Sequence, residues 1–202
     1  MTEEENLAKK VEENTEILYG LIEKCIPEGA KRDAILNMME DMVTNFLVSP
    51  ASSREAYHNS FYGGLFDHSV NVFTNLVKAN DAFDLGFSKE EMFVVALLHD
   101  FGKCTTPDLI KPHYKDSEPW RKKKLGQGFE PDFSEGYFTN RDRTMFVLQH
   151  YQIPLSAQEY QAILLNDGLN VDANRAYSMK EYDLSFWTQM ADCWAARTEK
   201  IS

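Results

Sequence analysis

Histidine and cysteine are scarce in this chain, and positive charge is in deficit. Three cysteines, Cys25, Cys104 and Cys193, are scattered over 202 residues, and none belongs to a CxxC pair. That argues against a disulfide framework and a structural zinc site, and it fits a reducing cytoplasm. No apolar run approaches the roughly 18 residues a membrane span needs, so none is expected. The opening stretch MTEEENLAKKVEEN lacks an apolar segment, so no signal peptide is expected either. Lysine and arginine number 21 against 32 aspartates and glutamates, for a net charge of −11. A field of that sign disfavours long nucleic acids as partners. It does not exclude a deep site for a small phosphate, where local cations outvote the global charge.

What is present is ordinary globular material, with 43% hydrophobic and 26% charged residues. The length suggests about one domain with a core of its own. Helical spacing dominates. Leu7, Val11, Leu18, Leu21 and Cys25 mark a helix over about Glu3–Cys25, closed by Pro27 and Gly29. It reads as a helix packed on its own domain, with a short dimer seam as the sharper alternative. A second helix covers Ala30 to Val48 and stops before Pro50. Gly63-Gly64 introduces a third over Leu65–Ala79. Ser88-Lys89-Glu90-Glu91 is a capping box for a fourth, Glu90 to about Phe101. Its run Phe93–Leu98 is apolar all round, as in a buried helix.

Residues from about Thr105 to Thr139 break the pattern with prolines, glycines and aromatics. They are expected to form one long loop, with a hairpin around Trp120 to Phe129; such insertions are usually functional. Helices resume at Asp142–Tyr151, from Ser156 to about Asn166, and at Tyr182–Thr198. The reading is an all-α, single-domain bundle with an irregular loop at 105–139. Residues 1–29 form an N-terminal helix packed on or appended to the domain of 30–202.

There are only five histidines. His99-Asp100 ends the most apolar helix, where an imidazole and a carboxylate are costly to bury unless both are satisfied. A divalent cation satisfies both. His68 follows Gly63-Gly64 at the start of another helix, and Asp192 lies at the edge of an apolar face that includes Trp187 and Ala195. Two histidines and two aspartates, each on its own helix except the adjacent His99-Asp100 pair, suit a metal site in a bundle core.

Three segments, Gly63-Gly64-Leu65-Phe66-Asp67-His68-Ser69, Leu97-Leu98-His99-Asp100-Phe101-Gly102-Lys103 and Ala191-Asp192, stand in an order that resembles the HD-domain superfamily of metal-dependent phosphohydrolases. The likeness spans about His58 to Ala196. It implies an all-α bundle holding one divalent ion (Mn, Fe, Co, Ni, Zn or Mg) on His68, His99, Asp100 and Asp192. It further implies a phosphate-facing role for His58 and a place near metal and substrate for Lys103, whose plain reading is a helix C-terminal cation. Asn140-Arg141-Asp142-Arg143-Thr144 and Ala162 to Gly168 resemble two further segments of one branch. There Asn140 and Asn166 replace histidines that help hold a second metal, so a binuclear site is not expected. His113 and His150 fit no motif spacing.

The resemblance implies hydrolysis of a nucleotide or other small phosphoester. Asp100 and Lys103 would carry the chemistry, and His58, Lys103, Arg143, Asn140 and Asn166 would line the phosphate. Arg121-Lys122-Lys123-Lys124 either guides an anionic substrate or is a solvated charge run. Trp120, Phe129, Phe133, Tyr137 and Phe138 either stack a base or form the loop's own core. The alternative function is a degenerate member that binds metal or phosphate without turnover. A homodimer is compatible with the N-terminal helix.

Overall fold

The computed structural model describes residues 2–199; the last three residues of the expected domain lie outside them. Helix α1 (Glu3–Cys25) begins with a capping box in which the Thr2 hydroxyl accepts from the Glu5 amide. Helices α2 (Ala30–Val48) and α3 (Gly64–Phe83) follow, then α4 (Lys89–Leu98) behind the Ser88–Glu91 capping box. Helices α6 (Asn140–His150), α7 (Ala157–Leu164) and α8 (Asp183–Thr198) complete the bundle. The protein is all-α apart from two three-residue strands, and no helix among the described residues is long and apolar enough to cross a membrane.

The central helix is α4. Its residues from Met92 to Leu98 are all buried, as its unbroken apolar sequence requires. It packs between α3, α7 and α8. Helix α1 lies against α2 and α4, with Leu18 and Ile22 fully buried, and the Lys10 ammonium reaches Asp67 of α3 at 2.6 Å. Lys31 of α2 binds Glu90 at 2.6 Å and the fully buried Glu159 of α7 at 2.8 Å, tying three helices together.

Three expectations need correction. Helix α4 stops at Leu98, and Phe101–Lys103 forms a separate 3-10 turn. The ring of Phe101, 5.1 Å from that of Phe46, holds that turn in the core. The hairpin is also displaced. Its strands are β1 (Tyr114–Asp116) and β2 (Phe129–Pro131), antiparallel with Lys115 opposite Glu130. Trp120, expected in the hairpin, lies in helix α5 (Pro119–Leu125) between them. Pro119 in the first turn and Gly126 in a left-handed cap, φ 57°, are the local signals for that helix. Finally, α7 ends at Leu164 rather than Asn166, which frees Asn166 from helical geometry.

Candidate metal centre

The centre is built where α3, α4 and α8 meet. His68 lies in the second turn of α3, His99 caps α4, Asp100 opens the 3-10 turn, and Asp192 is on α8. Local structure holds α3 in place. Gly64 packs so tightly under the preceding loop that a Cβ there would lie 2.1 Å from the carbonyl oxygen of Asn59. The same loop carries His58, whose ring lies 4.6 Å from that of His68.

His68 and His99 are fully buried, and each has an Nε2 with no hydrogen-bond partner among the described residues. Such nitrogens are costly in a core unless something binds them. Both face one carboxylate oxygen: Asp100 Oδ2 is 3.9 Å from His68 Nε2 and 3.6 Å from His99 Nε2. One ligand atom from each of the three residues fits within a 4.8 Å cluster. Asp192 is outside that cluster, but its Oδ1 is 2.9 Å from His68 Nε2 without hydrogen-bond geometry. Adjacent ligands of a small divalent cation are separated by about 3 Å, given bonds near 2.1 Å. The orphaned nitrogens and the buried carboxylate therefore fit a divalent metal.

The other ring nitrogens are engaged. His99 Nδ1 lies 2.9 Å from the Ala96 carbonyl, which makes it the protonated nitrogen and leaves the Nε2 lone pair free. His68 Nδ1 lies 2.8 Å from Oε2 of Glu199. Asp100 is crowded with donors. Lys103 Nζ sits 2.5 Å from its Oδ2 and donates to the Ala51 carbonyl at 2.6 Å. Asn140 Nδ2 donates to Oδ1 at 2.6 Å, and Asn166 Nδ2 is 3.5 Å from the same oxygen. Both asparagines thus turn amide donors to Asp100.

Arg143 is engaged by two backbone carbonyls. It is buried, Nε donates to the Gly102 carbonyl at 2.8 Å, and the guanidinium also reaches the Lys111 carbonyl. These donors hold the turn after Asp100. Within the basic run, Arg121 pairs with Glu130 at 3.1 Å and Lys122 with Asp116 at 2.5 Å, leaving Lys123 and Lys124 exposed. Phe129 is buried against Tyr62, whereas Trp120, Phe133, Tyr137 and Phe138 are exposed. Sequence reasoning missed Glu199, which follows no motif, and Asp167, whose carboxyl is pushed up by burial and by Asp100.

The charges are mutually dependent. Burial opposes ionisation of Asp100, but Lys103, His99 and His68 outweigh it and hold the carboxyl well below its usual range. Burial likewise opposes the charge on Lys103, and Asp100 raises it beyond the ordinary lysine value. Burial disfavours a charged His68, yet Asp192 and Glu199 lift it to about 9. Asp192 is held down chiefly by His68 against its own burial.

His58 and His113 go the other way. Burial, with His68 and Lys103 beside His58 and Arg143 and Lys103 beside His113, lowers each from 6.5 to about 4. Below pH 6.5 the unfolded chain binds both protons and the native chain does not, so acid destabilises the fold. Metal-free protein is expected to lose about 3 kcal/mol between pH 6.5 and 5 from these two groups. Urea midpoints across that range check it, and replacing both histidines by glutamine should flatten the slope.

Residues 65–142 match the family model of the HD domain. No curated protein and no solved structure matches the chain. The matched segment contains His68 on α3, the His99-Asp100 step and the start of α6 that brings Asn140 to Asp100, so residues 65–142 carry an HD domain.

Proposed function

We propose that the protein is a metal-dependent phosphohydrolase acting on a nucleotide or another small phosphoester. The observation that carries this reading is the convergence of two orphaned, fully buried imidazole nitrogens on one oxygen of Asp100. His68, His99, Asp100 and Asp192 would hold the ion. A divalent cation there supplies Lewis acidity toward a phosphoryl oxygen and lowers the pKa of water.

The chain's own groups have separate tasks. Asn140 and Asn166 engage Oδ1 of Asp100, so that Oδ2 faces the imidazoles. Asp100 orients the attacking water. Lys103, buried beside it, neutralises charge that develops on phosphate. His58 is held neutral and its Nε2 has no partner, which suits a hydrogen bond to a phosphate oxygen. Two amides in place of two imidazoles support one metal rather than two.

A second reading, a member that binds metal or phosphate without turnover, draws support from Lys103. Its ammonium occupies the Asp100 oxygen that faces the imidazoles. One assay separates the two. Mono-, di-, tri- and cyclic nucleotides and a generic phosphodiester are tested with Mn, Mg, Co, Ni and Fe(II). The hydrolase reading expects turnover with at least one metal. Metal binding with no turnover anywhere in the panel favours the binding protein.

A further inference from the structure

Glu199 sits one residue beyond α8, 131 positions from His68 in sequence. Its amide is held by the Ala195 carbonyl at 2.9 Å, so it continues the helix's course. Its side chain is 5% exposed and spends both carboxylate oxygens on α3. Oε2 lies 2.8 Å from His68 Nδ1, and Oε1 accepts from Asn71 Nδ2 at 2.7 Å. Among the described residues nothing else engages His68 Nδ1, and its Nε2 is the orphan that faces Asp100 and Asp192. A carboxylate on one imidazole nitrogen fixes the ring's orientation and leaves the opposite nitrogen free to ligate, while making it more basic.

We infer that Glu199 is a positioning residue for the metal centre, acting through His68, with Asn71 fixing the carboxylate in turn. The inference rests on the reading of His68 as a metal ligand. It gives α8 two attachments to the site, Asp192 on the open side of His68 and Glu199 behind it. It also explains why a carboxylate is buried at the end of a helix, where the backbone dipole disfavours negative charge.

The test is titration of chelator-treated full-length protein with Mn(II), followed by calorimetry. Wild type is expected to bind Mn. Glu199→Gln keeps an acceptor for Nδ1 but loses the charge, and is expected to bind about 10-fold more weakly. Glu199→Ala loses both and should bind about 100-fold more weakly. Asn71→Ala, an exposed position, should weaken binding several-fold with no change in metal-free thermal stability. A Co(II) form adds a signature: the hyperfine-shifted Nδ1 proton of His68 should exchange with water faster in both Glu199 variants. If Glu199→Ala does not fold, Glu199→Gln and Asn71→Ala carry the test. Wild-type affinity in those two variants overturns the inference and leaves the metal centre standing. Failure of wild type itself to bind Mn overturns the centre, and the inference with it.

Discussion

Replacing Asp100 by alanine is expected to reduce metal-dependent phosphoester hydrolysis by at least about 10³-fold, roughly 4 kcal/mol of transition-state stabilisation. The substitution removes an oxygen facing His68 and His99 and the acceptor for Lys103, Asn140 and Asn166. It also strands the Lys103 ammonium, whose side chain is 11% exposed. Breaking one half of a buried ion pair costs about 3–5 kcal/mol, so lost activity alone does not distinguish damaged chemistry from a damaged fold. The double variant Asp100→Ala/Lys103→Met separates them, because it removes the stranded charge. Its denaturation midpoint should return most of the way to wild type, while activity stays absent. If the midpoint recovers and activity recovers with it, Asp100 is a structural residue and its catalytic assignment is wrong.

The second large effect is on architecture. Gly102→Ala places a Cβ 2.3 Å from the carbonyl oxygen of Asn140 and 2.5 Å from the amide nitrogen of Thr144. Both are backbone atoms of α6, so no rotamer change relieves the contact. The Gly102 amide donates to Thr144 Oγ1 at 2.8 Å and its carbonyl accepts from Arg143, so the two segments cannot part without losing buried hydrogen bonds. Overpacking of a close contact costs about 1–3 kcal/mol and more where backbone must move; about 3 kcal/mol or more is expected here. Asn140 opens α6, so relief of the clash also draws its amide from Asp100. Gly20→Ala is the contrast. Nothing lies within 4 Å of its Cβ, in the exposed course of α1, and it should be neutral or stabilising by up to about 1 kcal/mol. Chemical denaturation of both variants, with activity measured below the transition, checks the pair.

The motif residues were legible because each lies in a short run with its own signature. Gly63-Gly64 before His68 reports a close backbone approach, and the apolar run Phe93–Leu98 reports the burial of His99. Helix boundaries at the end of α1 and α2 were legible from Pro27, Gly29 and Pro50. The strands were not, because their register is set by tertiary hydrogen bonds, such as that from the Phe129 amide to the Ser53 carbonyl at 3.0 Å. The seven residues of α5 show too little periodicity to declare a helix, although Pro119 and Gly126 bracket it. The contacts of Arg143 were not legible, because the two carbonyls that accept from it, of Gly102 and Lys111, are 41 and 32 positions away in sequence. Glu199 was missed because its meaning depends entirely on His68, far along the chain.

The central claim, that one divalent ion is held by His68, His99, Asp100 and Asp192, is tested most directly by metal content. Wild type, His99→Ala and Asp192→Ala are dialysed to equilibrium against Mn(II) and analysed for bound metal. The expected result is one Mn per wild-type chain and none in either variant, with all three proteins folded by circular dichroism. Full occupancy in either folded variant, or no metal in wild type, contradicts it.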